Sequence, residues 1–491
     1  MSANPPVLRP RPAPRPARRR AAPSRPAPHR EPMPVVLTAV IVAGALPVAF
    51  VWWQNTIPGS LDSPAADLSA AGRIAGLLAA YLLLVLVALM ARVPWLENRI
   101  GSDTVARLHR ALGEYTVALA FAHAVLIVCG YAWQGHTDPL TETWAVVTGY
   151  TDVWLAAVSL GLLGLIGVVS ARAIRRRVAY ESWYHVHLLA YVAIALAFSH
   201  EFAVGTEFSA SPRNRLLWSA AHVVVGAAVV VFRLGLPLYR SLRHGVRVAA
   251  VVAEGPGVVS VHLTGRDLDR LGARAGQFLR WRFLARGQWW QSHPYSLSAA
   301  PTPDALRITV KALGDASGAV ARLRPGTRVW FEGPYGAFTA RRRWGATARP
   351  ARPVLLLAAG AGVTPLRALY ETLPAAARGG PGHHDGRHDS GSGDGGVLLV
   401  QRASRPEDLV LHAELRRIAQ ARGFGLLAVV GPRGGPADDP LRADRLRAMV
   451  PALAERDVYL CGPAGWTAFV RAELRRAGVP ARRIRTEAFA F

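Results

Sequence analysis

The stretch His109-Arg-Ala-Leu-Gly-Glu-Tyr-Thr-Val-Ala-Leu-Ala-Phe-Ala-His123, which runs on without a charge to Trp133, decides how the rest of the chain is read. From Tyr115 it is apolar for about the length needed to cross a bilayer. A histidine at membrane depth is expensive and therefore marks function. Fourteen residues at about 100° each leave the two imidazoles about 40° apart on one helix face and roughly 21 Å apart along the axis. One helix thus offers two ligands at two depths.

Five further stretches have the same character: Val35–Trp53, Ile74–Met90, Val153–Ala171, Trp183–His200 and Leu216–Phe232. None carries Asp, Glu, Lys or Arg in its central part, so residues 34–240 are expected to form an all-α bundle of six membrane spans. The arginines sort by side. Residues 1–33, 92–110 and 172–181 hold sixteen, whereas the intervening loops hold Arg73, Arg213 and Arg215 with seven acidic residues. The positive-inside rule then places both termini in the cytoplasm of a multi-pass cell-membrane protein. Residues 1–33, rich in Pro, Ala and Arg, read as a disordered cytoplasmic tail able to attract anionic lipid headgroups. No apolar core followed by a cleavage site marks a signal peptide.

Composition agrees. The 491 residues carry a net charge of +26, almost all of it arginine, since Lys311 is the only lysine. Such an excess would ordinarily point to nucleic acid, but the arginines follow membrane topology without interleaved aromatics, so nucleic acid is not expected as a partner. A mean hydropathy of +0.20 excludes a wholly soluble enzyme. Cys129 and Cys461 are too few and too far apart for a disulfide framework or a thiolate metal site.

The fifth apolar stretch carries His185, His187 and His200. Two helices that each present an inner and an outer histidine can hold two haems one above the other, each iron taking one imidazole from each helix. His123 and His200 serve the outer level and His109 the inner. On an ideal helix His187 points about 140° away from His200, while His185 lies only about 60° away. Geometry therefore favours His185 as the second inner ligand, and His187 would require a kink or π-bulge in that span. His222 has no partner at matching depth and reads as a packed histidine; His136 falls in an outer loop.

After Arg240 the pattern turns to short alternating runs punctuated by Gly and Pro, as in an antiparallel β-barrel over 245–345. From Val354 the period lengthens, and residues 350–491 read as a parallel α/β domain of the Rossmann-like kind. Its first element is Leu355-Leu-Leu-Ala-Ala-Gly-Ala-Gly-Val-Thr-Pro365. Glycines at 360 and 362 let the backbone approach a pyrophosphate that faces a helix N-terminus. A second glycine turn, Cys461-Gly462-Pro463, closes the last of the expected strands, where the other half of a dinucleotide would lie. The insert 378–396 reads as a disordered surface loop, with His383, His384 and His388 as a less favoured metal site.

Together these residues resemble the ferric reductase/NADPH oxidase family, a six-span di-haem membrane domain fused to a ferredoxin-reductase-like FAD and nicotinamide module. The resemblance covers about residues 35–491. His293-Pro294-Tyr295-Ser296-Leu297-Ser298 is similar to the family's flavin-binding strand, with the histidine of its oxidase branch. Lys311 resembles the basic residue beside the flavin phosphate and nicotinamide, and Glu332-Gly-Pro-Tyr-Gly336 the end of the flavin barrel. Gly360, Gly362, Thr364 and Pro365, with Cys461, Gly462 and Pro463, match its two nicotinamide loops. Glu487-Ala-Phe-Ala-Phe491 resembles the C-terminus that sets an aromatic ring against the flavin, and the resemblance places Cys461, Glu487 and Phe491 at the reacting centre. The spacings 109/123 and 187/200 are those of the oxidase branch, so the resemblance selects His187 over His185.

The implied function is a transmembrane oxidoreductase that draws electrons from NADPH or NADH through FAD and two b-type haems to an extracytoplasmic acceptor, ferric chelate or dioxygen. The alternatives are a nucleotide-binding haem sensor or assembly protein without turnover, and a haem–quinone reductase, which would not normally carry its own flavin module. No outer-loop residue chooses the acceptor, and the oligomeric state is left open. After the strand Val397–Gln401 stands Arg402-Ala-Ser-Arg405. Arginine suits bidentate phosphate contacts, so Arg402 is expected to read a 2′-phosphate and favour NADPH.

Overall fold

Ser63-Pro64, Asp138-Pro139 and Ser211-Pro212 each start a helix. The Ser63 and Ser211 hydroxyls and the Asp138 carboxylate accept from the first-turn amides, and proline fills a position whose N–H has no intrahelical partner. The computed structural model describes residues 32–56, 61–175, 177–178, 180–209, 211–340, 352–374, 396–432 and 439–489. Most of the Arg/Pro-rich tail, the insert with its three histidines, and Phe491 lie outside them.

The membrane half comprises α1 (Pro32–Asn55), α2 (Pro64–Met90), α3 (Pro94–Ile100), α4 (Ser102–Gly135), α5 (Pro139–Gly149), α6 (Val153–Ser170), α7 (Arg172–Arg175), α8 (Tyr180–Val204), α9 (Thr206–Ser209), α10 (Pro212–Val229) and α11 (Leu236–His244). Six helical segments among the described residues are long and apolar enough to cross a membrane. The last is continuous from Pro212 to His244, with a π-helical turn at Val230–Gly235 joining α10 to α11. The π-bulge anticipated in the fifth span is therefore absent there, since α8 is α-helical throughout. His136 caps α4 in a left-handed conformation, and His222 packs against Phe198 and Trp218.

Helices α2 and α4 pack closely because α2 presents glycines. A Cβ on Gly72 would stand 2.9 Å from Ile127, and one on Gly76 only 2.6 Å from Nδ1 of His123. Without a hydrophobic force between helices in lipid, such small residues let backbones approach.

The next strands are β1 (Arg247–Gly255), β2 (Val258–Thr264), β3 (Phe278–Phe283), β4 (His293–Ser296), β5 (Ala305–Lys311) and β6 (Val329–Tyr335), with α12 (Asp315–Ala319) before β6. They form two three-stranded antiparallel sheets, β1-β2-β5 and β4-β3-β6, around one core that includes Trp281, Leu297, Ile308 and Phe331. Single bridges, Arg247–Arg328 and Leu297–Ile308, link the two. The pairing gives two three-stranded sheets where an antiparallel barrel was expected, with their edges joined by those bridges and by backbone bonds from Val248 to Thr327 and from Ser298 to Arg307.

The last unit has β7 (Val354–Ala359), α13 (Val363–Thr372), β8 (Val397–Ala403), α14 (His412–Arg422), β9 (Gly425–Val430), α15 (Ala443–Met449), β10 (Asp457–Pro463), α16 (Ala464–Arg476) and β11 (Ile484–Phe489). Its five strands are parallel in the order β11-β10-β7-β8-β9. Every residue of β7 and β8 is buried, as a sheet covered on both faces requires. Val354, Leu356 and Ala358 point into one core and Leu355, Leu357 and Ala359 into the other, the period-two signature of a strand. Burying each such leucine contributes about 1.5–3 kcal/mol. Strand β11 was not anticipated from the sequence; it pairs Glu487 with Cys461.

Candidate functional site

Helices α4 and α8 bring four histidines together in two pairs. The rings of His109 and His187 lie 6.0 Å apart between centroids, and those of His123 and His200 lie 6.4 Å apart. Two imidazole nitrogens on opposite sides of one metal, each about 2 Å from it, would set ring centroids about 6 Å apart. The Nδ1 atoms face backbone carbonyls: His109 toward Leu86 at 3.3 Å, His123 toward Gly72 at 2.8 Å and His200 toward Ala197 at 2.5 Å. With Nδ1–H donating to a carbonyl, Nε2 keeps its lone pair and is the available ligand atom. His187 stacks on Trp183 at 5.0 Å, and its Nδ1 is buried without a hydrogen-bond partner. These features fit the ligation of two haems.

The structure pairs His187, not His185, with His109. His185 is exposed and its ring meets Tyr184 edge-on. Ideal-helix azimuths favoured His185, but His200 does not project straight from its helix. Its Nδ1 meets the carbonyl of Ala197 on the preceding turn.

In the flavin-type strand β4, His293 Nε2 lies 3.1 Å from the Gln291 side-chain oxygen, and its ring is 6.3 Å from that of Tyr295. Trp281 Nε1 donates to the Tyr295 carbonyl at 3.0 Å, which anchors the strand from below while burial pushes the Tyr295 hydroxyl up to about 12. Ser296 Oγ is buried with no partner, as a hydroxyl held for a ligand would be. Pro294 pairs with Arg280, Leu297 is in the core, and Ser298 accepts from Arg307 at its Oγ and carbonyl. Lys311 ends β5 opposite Val258.

The two glycine turns meet. A Cβ on Gly362 would stand 2.1 Å from the carbonyl oxygen of Cys461, and one on Gly462 would stand 2.8 Å from the Trp466 ring. Gly360 has φ +53, a conformation that suits glycine. Thr364 and Pro365 lie buried in the first turn of α13. The Cys461 side chain is fully buried in the core with Ala358 and Val363, and burial, reinforced by Glu487, raises its thiol well above the usual range. What it offers the neighbouring glycine turn is its backbone carbonyl, the group a Cβ on Gly362 would meet.

Arg402 does not reach outward. It is 6% exposed, and its guanidinium donates to the carbonyls of Ala403, Val429, Gly431 and Pro432, the last two at 2.8 and 2.9 Å. It ties the end of β8 to the segment after β9 and leaves no fork for a 2′-phosphate. Arg405, the exposed cation of this turn, is paired with Glu407 and Asp408. Arg402→Ala is therefore expected to leave the ratio of kcat/KM for NADPH and NADH unchanged. It should lower the melting temperature by about 2–12 °C, as loss of about 1–3 kcal/mol of buried hydrogen bonding implies. Steady-state kinetics and a thermal melt check both parts.

Sequence reasoning missed the glycines of α2 that seat His123, although Gly72-x-x-x-Gly76 is a readable small-residue motif. It also missed an ion-pair network across the two soluble units. Arg307 binds Glu414 at 3.0 Å, Glu414 also holds Arg367, and Arg367 pairs with Glu371, which accepts from the amide of Ala300. No local pattern announces it.

Residues 75–198, which carry His109, His123 and His187 and end two residues before His200, match the family of ferric reductase like transmembrane components, and residues 243–339 match an FAD-binding domain. The chain has the ferric reductase/NADPH oxidase-like architecture. This ferric reductase-like chain is also 30% identical over 259 residues to a flavohemoprotein of Deinococcus radiodurans, a match covering 50% of the chain and 58% of the relative. It is 30% identical over 252 residues to the ferredoxin reductase component of a 3-ketosteroid-9-alpha-monooxygenase of Mycolicibacterium smegmatis, covering 50% of the chain and 64% of that relative. Among solved structures, the FAD/NAD-binding domain of a nitric oxide dioxygenase from Vibrio cholerae aligns with 50% of this chain and 99% of its own, at 23% identity and a TM-score of 0.38. The chain therefore spans only about half to two thirds of the length of these curated relatives. A ferric reductase-like transmembrane domain is thus joined to an FAD-binding domain, on a chain with six helices long and apolar enough to cross a membrane among the described residues.

Proposed function

We propose that the chain carries electrons from cytoplasmic NAD(P)H, through FAD and two b-type haems, to an acceptor on the opposite side of the membrane, a ferric chelate or dioxygen. The observation that carries this reading is the pairing of His109 with His187 and of His123 with His200, at two depths of the same two helices. Both termini are cytoplasmic in this reading, in accord with the arginine-rich inner loops.

When bound, the flavin supplies hydride-to-single-electron conversion and the haems supply one-electron carriage; the protein supplies ligation, spacing and access. Tyr295 and Ser296 on β4 present a ring and a buried hydroxyl to the flavin. The Gly360–Gly362 turn and the N-terminus of α13 receive the dinucleotide phosphates, with Cys461-Gly462-Pro463 against them. In the membrane, the carbonyls of Leu86, Gly72 and Ala197 hold three of the imidazoles in the tautomer that ligates.

Pyridine haemochrome quantitation of the purified protein should give two haems per chain. Steady-state turnover with ferric citrate and with dioxygen should then identify the acceptor. A well-folded preparation that binds one haem or none rejects the proposal.

A further inference from the structure

The membrane half and the FAD unit meet at the end of β6, Glu332-Gly333-Pro334-Tyr335, and three arginines from the membrane half converge there. Arg92 follows α2 with φ 63, in the left-handed conformation where glycine is the usual choice. Its guanidinium bonds the buried Glu97 carboxylate at 3.0 Å and lies 5.1 Å over the ring of Tyr335, which is itself 4% exposed. Arg233 stands in the π-helical turn Val230–Gly235 and donates to the carbonyl of Met90 at 3.0 Å. It also lies within electrostatic reach of Tyr184 and Glu332. Arg240 donates to the carbonyl of Gly333 at 2.5 Å, and beside it Ser241 Oγ accepts from the amide of Phe331 at 3.1 Å.

Two backbone irregularities, a left-handed arginine and a π-turn, thus occur where the two halves touch. Such features persist only where the surroundings over-determine them, and they cluster at functional sites. The junction is also tied to the inner histidine level. Tyr184 precedes His187 by three residues on α8, so the two lie on neighbouring faces of one helix turn. Without such a tie, two units joined by limited contact would move relative to each other.

We propose that Arg92, Arg233 and Arg240 form a socket that fixes the Glu332–Tyr335 corner of the FAD unit beneath the His109/His187 pair, and that they are positioning residues for electron entry into the membrane half. The positions of Arg92 and Arg240 stand on their contacts with Tyr335 and Gly333; the consequence for electron entry rests on the proposed function.

The test uses the full chain in lipid nanodiscs. Spin labels on Ile174→Cys and Leu313→Cys, one in each half and both exposed, with Cys129→Ala to remove the accessible native thiol, report the distance between the halves. A single narrow distribution is expected, broadened in Arg233→Ala/Arg240→Ala and kept in Arg240→Lys, which retains one donor for Gly333. An unchanged distribution in the triple alanine variant of Arg92, Arg233 and Arg240 overturns the socket, whatever the haem content. Anaerobic stopped flow with NADPH and with NADH then reads the consequence: flavin bleaching at the wild-type rate, with haem reduction slowed at least tenfold. Equal slowing of both, or of neither, overturns the positioning role. A socket intact by distance in a protein without haem would overturn the electron path and leave the docking claim standing.

Discussion

His187→Ala is expected to bind one haem per chain in place of two and to lose delivery of electrons to the outside acceptor, while His185→Ala keeps both haems and its turnover. His187 faces His109 at 6.0 Å with a buried, unpartnered Nδ1, whereas His185 is exposed beside Tyr184. Groups that merely orient a metal ligand change metal affinity by about 10–100-fold, so removing a ligand itself should exceed about 100-fold. The outer pair, His123 and His200, is untouched by the substitution and should still show its own reduced-minus-oxidised band. Haem quantitation on both variants, with turnover on the same preparations, checks the result. Loss of a haem in His185→Ala with retention in His187→Ala would reverse the assignment.

Gly362→Ala should slow reduction of the flavin by NAD(P)H at least tenfold while leaving FAD bound. The added methyl would meet the carbonyl oxygen of Cys461 at 2.1 Å and its carbon at 2.4 Å. These are backbone atoms of the neighbouring strand, and they cannot rotate away as a side chain could. Relief requires that the two nicotinamide-type turns separate, an overpacking cost of about 1–3 kcal/mol or more. The strand β4 lies in another sheet and its residues are not involved. The expected outcome is at least a tenfold lower rate of flavin reduction by NAD(P)H, with dithionite still reducing the bound cofactors. Gly318→Ala serves as the control, because nothing lies within 4 Å of the added carbon. If the Gly362 variant reduces its flavin at the wild-type rate, the glycine turn is not the nucleotide-facing element.

Much of this protein was legible before any coordinates. The six spans, the fourteen-residue spacing of His109 and His123, the change of period at Val354 and the two glycine turns follow from consecutive residues. Hydropathy, helical periodicity and the conformational freedom of glycine act over one element at a time. The strand β11 was not legible, because Ile484–Phe489 is strand only by pairing with β10.

What a side chain does was legible only where its partners are local. Arg402 sits where a phosphate-reading arginine would stand in the sequence. Its guanidinium instead turns to the carbonyls of Gly431 and Pro432, about thirty residues away, and only the packing of β8 against β9 brings them within reach. The choice of His187 over His185 likewise depends on where α4 lies against α8. An angle computed along one helix cannot include the contact of His200 Nδ1 with the Ala197 carbonyl or the stack of Trp183 on His187. The sequence by itself therefore determined most of the elements, the six apolar spans among them, and the chemistry on offer. The tertiary structure decided which groups meet, because a long side chain on a fixed backbone can reach either solvent or a neighbouring element, and only the neighbour's position selects between them.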